Sequence, residues 1–395
     1  MTAKRHEIEE REIQGLKLFK GLSGLLERLH EVGCKRDRAG NRKLHMDQYM
    51  MLILLYLFNP ICGSLRSLQQ ASELRNVQKT LGVGRASLGS LSEAVGVFDP
   101  EPLKAVIGEL VDQLKPIPHD SRRADLPAIL TAVDGTVLAA LPKMVWALWK
   151  DAEHRGVKAH VQFEILKGVP VSAVITEGSG NEKTVLARNL QSGRLYVIDR
   201  GYAMYQLFQD ILDAGSSFVG RLRDHAVFEV IRENELTPEA QAAGVVRDAE
   251  GWLGCAGKHE DLNPPIRIVE IRCEPHRQRA PTGRGGPEQG ETILLGTDRR
   301  DLPAEVVGLI FRHRWAVEIF FRFFKHVLGC RHLLSHKQNG IELQTYAAII
   351  ACLLIALWTG RKPTLRTYEM ICYYRMGWAQ EDELLAPIAK LQKQG

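Results

Sequence analysis

Apolar residues recur at three- and four-residue spacing over the first 115 residues of the chain. Leu16–Leu29, Met46–Phe58 and Pro102–Leu114 all show this spacing, with little β-branched alternation, and the pattern predicts helices. Between them, Ser67–Val95 predicts a helix, a short glycine-containing turn and a second helix that starts near Ser87. That outline is typical of a helix-turn-helix, and two ordinary packed helices explain it at least as well.

The pattern changes after a proline- and charge-rich linker at residues 116–125. In Val157–Ile165 the apolar side chains fall on one face and the polar ones on the other, which predicts a strand. Strands joined first directly and then through helices imply an α/β sheet of mixed direction. The predicted strands are Ile129–Leu138, Val157–Ile165, Val169–Thr176, Arg194–Ile198 and Ser217–Leu222, and the helices between them are Glu182–Leu190 and Tyr202–Ala214.

Residues 224–295 predict a β-rich insertion. Short strand-like runs surround a loop rich in glycine, proline and arginine at Arg277–Gly290. Beyond the insertion, Leu302–Leu328 predicts one long helix, with Asp301 as its N-cap and Gly329 at its end. The strand-like runs are Ala226–Ile231, Ile266–Ile271 and Thr292–Leu295.

The composition narrows the class of protein. A chain of 395 residues that is 45% hydrophobic and 25% charged is typical of two or three soluble globular domains. Its net charge of +5 permits a nucleic-acid partner without requiring one. The most apolar runs, Met50–Phe58 and Ala347–Trp358, are shorter than the ~20 residues of a membrane span. With seven scattered cysteines and a charged N-terminus, the chain is predicted to be cytoplasmic, with no membrane partner.

Three acidic residues stand where metal ligands are expected. Asp134 lies near the end of the first predicted strand, Asp199 directly follows the fourth strand, and Glu318 lies within the long helix. In open sheets the chemistry gathers at the carboxyl ends of strands. A single aspartate there is also typical of a turn or a helix cap, so neither aspartate identifies a site by itself.

The helix that carries Glu318 has an unusual distribution of charge. Arg314, Glu318, Arg322 and Lys325 share one face, and the aromatic residues among them argue against a solvated helix. From residue 311 to residue 337, Glu318 is the one acidic residue among six lysines and arginines. A lone carboxylate in this setting suggests a metal ligand flanked by phosphate-binding side chains.

The spacing Phe311-x2-Arg314-x3-Glu318-x6-Lys325 resembles the Tyr-x2-Arg-x3-Glu-x6-Lys motif of DDE transposases of the insertion-sequence-four family. The chain departs from the motif at Phe311, which removes a hydroxyl but keeps a ring that can pack. Asp134-Gly135-Thr136 resembles the family's first acidic motif, and Asp199-Arg200-Gly201-Tyr202 resembles its second. The similarity covers about residues 125–360.

The resemblance implies an α/β fold with a ribonuclease-H-like catalytic core, in which helices accompany a mixed five-stranded sheet. The core would comprise residues 121–223 and 296–395, with residues 224–295 as a β-rich insertion. Residues 1–120 would form an all-helical DNA-binding domain.

The resemblance further implies a DNA transposase that binds the terminal inverted repeats of its insertion sequence and moves it by a cut-and-paste route. Asp134, Asp199 and Glu318 would hold two Mg²⁺ or Mn²⁺ ions for phosphodiester hydrolysis and strand transfer into target DNA. Because two DNA ends are brought together in a synaptic complex, the resemblance implies a dimer of the protein on double-stranded DNA. It also implies that the protein is associated with a bacterial-type nucleoid. The expected DNA contacts are Arg314, Lys325, Arg322, Lys158, His160, Arg200, Arg221 and Arg223.

Two alternative functions stay open. The carboxylates alone do not distinguish cutting from joining, so an endonuclease of the same fold without strand transfer is one alternative. The other is a non-catalytic DNA-binding regulator derived from a transposase, although the intact acidic triad argues against it. Cys255, His259, Cys273 and His276 could also form a zinc site. This interpretation is less well supported than structural cysteines, because the spacing matches no common zinc finger.

Overall fold

The computed structural model describes residues 24–32, 37, 40–116, 129–139, 143–147, 155–254, 262–272, 292–329, 333–380 and 382–384. Within these ranges the chain forms an α/β fold with one mixed sheet. Along the chain, helices precede the strands, connect some of them and follow them. Several predictions lie wholly or mostly outside the described residues: the helix Leu16–Leu29, the loop Arg277–Gly290 and the candidate zinc ligands Cys255, His259, Cys273 and His276.

The N-terminal part of the described chain is helical, as the hydrophobic pattern predicts. The predicted helix-turn-helix differs in one respect: its first helix is interrupted at Leu74, which adopts an extended backbone. The second helix begins after Ser87, as predicted, and the Ser87 hydroxyl accepts a hydrogen bond from the amide of Ser90 at 3.0 Å. The helices are α1 (Leu29–Val32), α2 (Met46–Phe58), α3 (Leu65–Ser72), α4 (Arg75–Leu81), α5 (Leu88–Val97) and α6 (Pro102–Gln113).

Nine strands form one sheet in the order β3-β2-β1-β4-β5-β9-β8-β7-β6. In chain order the strands and the helices between them are β1 (Ile129–Ala139), β2 (Gly156–Glu164), β3 (Val169–Glu177), α7 (Glu182–Arg188), β4 (Arg194–Ile198), α8 (Tyr205–Asp213), β5 (Ser217–Arg221), β6 (Phe228–Glu233), α9 (Pro238–Ala242), β7 (Val245–Leu253), β8 (Ile266–Arg272) and β9 (Thr292–Thr297). β4 runs parallel to β1 and to β5, and the other neighbours are antiparallel.

The five strands predicted before residue 224 lie side by side in this sheet, and the strands of residues 224–295 continue it. β7 was not predicted, because a glycine and charged residues interrupt its apolar pattern. Gly251 is needed there: a Cβ at this position would stand 2.5 Å from the carbonyl oxygen of Glu229 on the neighbouring strand. The described strands of this region therefore extend the edge of the sheet.

The long helix predicted at Leu302–Leu328 is two helices, α10 (Ala304–His313) and α11 (Trp315–Gly329), which meet at Arg314. The predicted N-cap is wrong. The carboxylate of Asp301 accepts two hydrogen bonds from Arg299, at 2.7 and 2.5 Å, and Pro303 occupies the cap position. The second helix is described as far as Gly329.

α12 (Gln338–Thr359) is a core helix and precedes the last described long helix, α13 (Leu365–Arg375). By length and composition α12 could cross a membrane, with a mean hydropathy of 1.9, but 89% of its apolar window is buried inside the protein. It packs against α2, α5 and α6 and against β3. α12 therefore joins the N-terminal helices and the sheet in one hydrophobic core.

Replacing Tyr346 by phenylalanine is expected to lower the free energy of unfolding by about 1 kcal/mol. The Tyr346 hydroxyl on α12 donates a hydrogen bond to the buried carbonyl of Ala173 on β3 at 3.2 Å. Urea denaturation at neutral pH measures the effect. Tyr373→Phe, at a side chain that is 40% exposed, is the control and should leave stability unchanged. Equal stability of the two variants would contradict a contribution from this hydrogen bond.

Candidate active site

The pairing of β1 with β4 places two aspartates side by side. The strands run parallel, and Ala132 lies opposite Val197, so Asp134 and Asp199 each stand two residues further along. β4 ends directly before Asp199. There the carboxylate of Asp199 accepts a hydrogen bond of 2.7 Å from the amide of Gly201 and caps a short 3-10 turn. The two aspartates are therefore level with each other where β4 ends.

Arg314 connects the third predicted acid to these aspartates. It stands at the junction of α10 and α11, and α11 packs against β1. Its Nη2 lies 2.7 Å from Oε1 of Glu318, and its Nη1 lies 3.8 Å from Oδ2 of Asp134. The guanidinium also lies over the ring of Phe311, 6.0 Å from the ring centroid. The structure thus brings Glu318 and Asp134 together through Arg314, and Phe311 keeps a packing role.

The surroundings of Asp134 disfavour its charged form. Burial is the main cause that raises the pKa of this carboxyl to about 7, and the negative charge of Asp199 raises it further. The amide of Gly135, which donates to Oδ1 at 2.8 Å, and the guanidinium of Arg314 lower the pKa. β1 continues past Asp134 to Ala139, so the aspartate lies within the strand and not near its end as predicted. Repelling carboxylates at a partly buried position favour a bound cation.

A fourth carboxylate, that of Glu182, lies beside Asp134 and was not predicted. Glu182 is the first residue of α7, after the cap Asn181. Its Oε1 stands 2.6 Å from the point that a Cβ on Gly135 would occupy, and 3.3 Å from Nζ of Lys158. An acidic residue in the first turn of a helix is ordinary, so the sequence gives no signal that this one turns towards the aspartate. The glycine of Asp-Gly-Thr leaves room for its carboxylate.

A narrow cleft opens beside Asp134 and Glu182. Residues of β1, β2, β3 and α7 line it, together with Tyr202 from the turn after β4. Tyr202 is buried, and this burial raises the pKa of its hydroxyl. Two polar side chains of β2, His160 and Gln162, also line the cleft. It therefore combines charged, polar and apolar walls next to the acidic residues.

The donor set fits a hard divalent cation. Asp134, Asp199 and Glu318 supply carboxylate oxygens, which Mg²⁺ and Mn²⁺ prefer. Within the described ranges, no three His, Cys, Asp or Glu side chains are already gathered around one metal-sized point. Glu318 is instead engaged by Arg314, which also lies near Asp134. Asp134 and Glu318 thus share the Arg314 guanidinium.

The predicted phosphate-binding side chains of the long helix differ in exposure. Arg322 and Lys325 are exposed on α11, one and two turns beyond Glu318. Arg314 is only 14% exposed and is engaged by the carboxylates. The structure therefore places two of the three predicted basic residues where a DNA backbone could contact them directly.

The basic residues at the ends of β4 and β5 differ in exposure, because Arg200 is exposed while the Arg221 side chain is 18% exposed. Arg221 binds Asp224 at 3.0 Å, and Arg200 binds the other oxygen of the same carboxylate. Arg223 is exposed. Arg200 and Arg221 thus share one acidic partner, Asp224.

Lys158 and His160 are withdrawn from the surface. Nζ of Lys158 donates to the carbonyl of Gly180 at 3.1 Å and pairs with Glu182. His160 is 7% exposed, its Nε2 lies 2.8 Å from Oγ1 of Thr176, and burial lowers the pKa of the imidazole to about 4. His160 is thus set apart from the exposed basic residues by its burial, and its contact with DNA stays a prediction. The alternation of apolar and polar residues predicted that Lys158 and His160 share one face of β2. It did not predict which groups cover that face.

Residues 126–354 of the chain match the family described as Transposase DDE domain. A putative transposase, y4zB, of Sinorhizobium fredii is 28% identical over 232 residues, which are 58% of this chain and 61% of that protein. A probable transposase for insertion sequence element IS5377 of Geobacillus stearothermophilus is 26% identical over 236 residues, 59% and 58% of the two chains. The match spans about three-fifths of the length of these curated relatives.

Among solved structures, the chain is similar to the piggyBac transposase in its synaptic complex with hairpin DNA. The TM-score is 0.42 and the sequence identity 12%, over 96% of this chain and 84% of that chain.

Proposed function

This chain belongs to the DDE transposase domain family, of the insertion-sequence-four type, and on that basis we propose that it is the transposase of an insertion sequence. It binds the terminal inverted repeats of the element as double-stranded DNA, hydrolyses phosphodiester bonds there and joins the freed 3′ ends to target DNA. The observation that carries the proposal is that the register of β1 with β4 sets Asp134 level with Asp199, while Arg314 links Asp134 to Glu318.

We assign the catalytic core to residues 121–223 and 296–395 and propose that it is ribonuclease-H-like. The half-sheet β3-β2-β1-β4-β5, with parallel pairs at β1–β4 and β4–β5, supports this assignment. Residues 224–295 are then an insertion that widens the core sheet. Residues 1–120 are the proposed DNA-binding domain.

In this proposal Asp134, Asp199 and Glu318 hold two Mg²⁺ or Mn²⁺ ions. Such ions supply activation of the attacking oxygen and stabilisation of the leaving oxygen in phosphodiester chemistry. Arg314 contributes a planar guanidinium that matches two phosphate oxygens, and it now neutralises Glu318 at 2.7 Å. The carboxylates thus fit the cations, and the guanidinium fits the scissile phosphate.

Lys325→Ala is expected to weaken binding of duplex DNA and to reduce the slope of log K against log [salt] by about 0.9, the contribution of one phosphate contact. Lys325 is exposed on the same helix as Glu318. Fluorescence anisotropy at several salt concentrations measures the slope. Arg366→Ala, which removes one exposed charge from α13, is the matched control and should keep the wild-type slope. An unchanged slope for Lys325→Ala would contradict the phosphate contact.

A cleavage and strand-transfer assay tests the function itself. The full chain is incubated with Mg²⁺ or Mn²⁺ and labelled duplexes that carry the terminal repeats of the surrounding locus. Metal-dependent nicking at the repeat boundary, followed by joined products, is expected. Nicking without joining would identify an endonuclease, and tight binding without either would identify a DNA-binding regulator. We further propose that two copies act together on a pair of synapsed ends, at the bacterial nucleoid.

A further inference from the structure

The cleft beside Asp134 contains an unpartnered nitrogen of His160. The hydroxyl of Thr176 donates its proton to the carbonyl of Glu177 at 2.9 Å, so its oxygen accepts from Nε2 of His160 at 2.8 Å. His160 therefore carries its proton on Nε2, and Nδ1 is an acceptor. Nδ1 is buried and has no hydrogen-bond partner among the described groups, while the imidazole lines the cleft.

Gln162, two residues further along β2, adds a second acceptor. Its Nε2 donates to the carbonyl of Asn189 at 2.9 Å, which fixes the orientation of the amide. Its Oε1 is buried without a partner among the described groups, and the side chain lines the same cleft. A buried polar atom without a hydrogen-bond partner destabilises the folded protein. Both β2 side chains therefore require a hydrogen-bond donor from inside the cleft.

The charges of Asp134 and its charged neighbours do not balance. Asp134, Asp199, Glu182 and Glu318 supply four carboxylates, while Lys158 and Arg314 supply two positive charges. When all four carboxylates are ionised, these six side chains leave two negative charges. A hydrated divalent cation supplies two positive charges, and its water molecules supply donors for buried acceptors.

We propose that Glu182 is a fourth carboxylate of the metal site and binds, together with Asp134, a divalent cation whose water molecules donate to His160 and Gln162. This inference rests on the proposed function, because the same site holds the ions of the proposed reaction. Glu182 reaches Asp134 across Gly135, where the missing side chain leaves space for its Oε1. Lys158, which also donates to the carbonyl of Gly180, holds Glu182 at the rim of the cleft.

Binding of Mn²⁺ to the full chain without DNA tests this assignment. Electron paramagnetic resonance of free Mn²⁺ gives the affinity for the wild type and the variants. Glu182→Gln is expected to weaken Mn²⁺ binding about tenfold, the usual effect of losing a group that supports a metal site. Asp134→Asn is expected to weaken Mn²⁺ binding at least as much. Glu177→Gln is the matched control. Glu177 is exposed at the end of β3, and its replacement should leave the affinity unchanged.

Lys158→Gln provides a test of opposite sign. This variant removes the cation that competes for the Glu182 carboxylate, and it is expected to tighten Mn²⁺ binding. If Lys158→Gln instead weakens binding as much as Glu182→Gln does, the ion pair supports the fold and the inference is overturned. Far-ultraviolet circular dichroism of each variant verifies that it is folded before the affinities are compared.

The outcomes separate the inference from the proposed function. If Asp134→Asn weakens Mn²⁺ binding and Glu182→Gln matches the wild type, Glu182 is only the partner of Lys158. The inference is then overturned, while the proposed function stands. If neither variant changes the affinity, the metal site of the proposed function fails as well.

Discussion

Alanine at Asp134, Asp199 or Glu318 is expected to reduce cleavage of transposon-end DNA by about a thousandfold, while binding of the ends stays largely intact. Each variant removes one carboxylate from a group in which the others cannot move into its place. Asp134 is fixed within β1, Asp199 by its hydrogen bond to Gly201, and Glu318 by Arg314.

Single-turnover cleavage of labelled end DNA in Mg²⁺ measures this loss, and gel shift of the same DNA measures binding. Asp213→Ala removes an exposed aspartate from α8, whose carboxylate accepts only from the Gln209 side chain at 2.8 Å among the hydrogen bonds described for it. That variant should cleave at the wild-type rate. Wild-type cleavage by any one of the three active-site variants would contradict its assignment as a metal ligand.

The second large effect concerns pH and the stability of the metal-free protein. Asp134→Asn is expected to raise the free energy of unfolding above pH 7 by up to about 4 kcal/mol, since one pKa unit corresponds to about 1.36 kcal/mol. The pKa of Asp134 is about 7 in the folded protein, against an ordinary value of 3.8. Asparagine keeps the side-chain size and removes the charge.

The sign follows from the proton that folding takes up. Between about pH 4 and pH 7 the folded protein holds a proton on Asp134 that the unfolded chain releases. The wild type is therefore stabilised below this range and loses that stability as pH rises through 7. Asp199 and Glu182 add to the effect, and Arg314 opposes it. The gain from Asp134→Asn should therefore vanish near pH 4.

Urea unfolding in EDTA between pH 5 and pH 8 measures this difference. Addition of Mg²⁺ should remove it at pH 8, because a bound cation offsets the repulsion that destabilises the wild type. Asp213→Asn is the matched control and should follow the wild type at every pH. Parallel pH profiles for wild type and Asp134→Asn would contradict the raised pKa.

Periodicity predicted the core strands well because their burial is regular. Arg194–Ile198 is confirmed at both ends, and the strand that contains Val157 is displaced by one residue. The break at Arg314 could not be predicted, because apolar spacing continues across it and only the hydrogen bonds change. The motifs also predicted the family, which the comparison confirms. The roles of the individual site residues stay predictions.

The candidate site was only partly predictable for a related reason. The motifs identified Asp134 and Asp199 in the sequence, but the parallel pairing of β1 with β4 that places them level is visible only in the structure. The place of Glu182 depends on how the chain turns from β3 into α7, and no local pattern encodes that direction. His160 shows the same limit, because an alternating strand does not reveal which helix covers its polar face.

The chain leaves the core half of the sheet at the end of β5 and returns to it at β9, directly beside the point of departure. Arg221 pairs with Leu295 and Val219 with Thr297 in antiparallel register. Antiparallel neighbours can be joined by a hairpin of two to five residues, so a short turn in place of residues 222–294 would leave β5 and β9 in register. Evolution can therefore lengthen, shorten or exchange this region as a module without disturbing the carboxylates of the core.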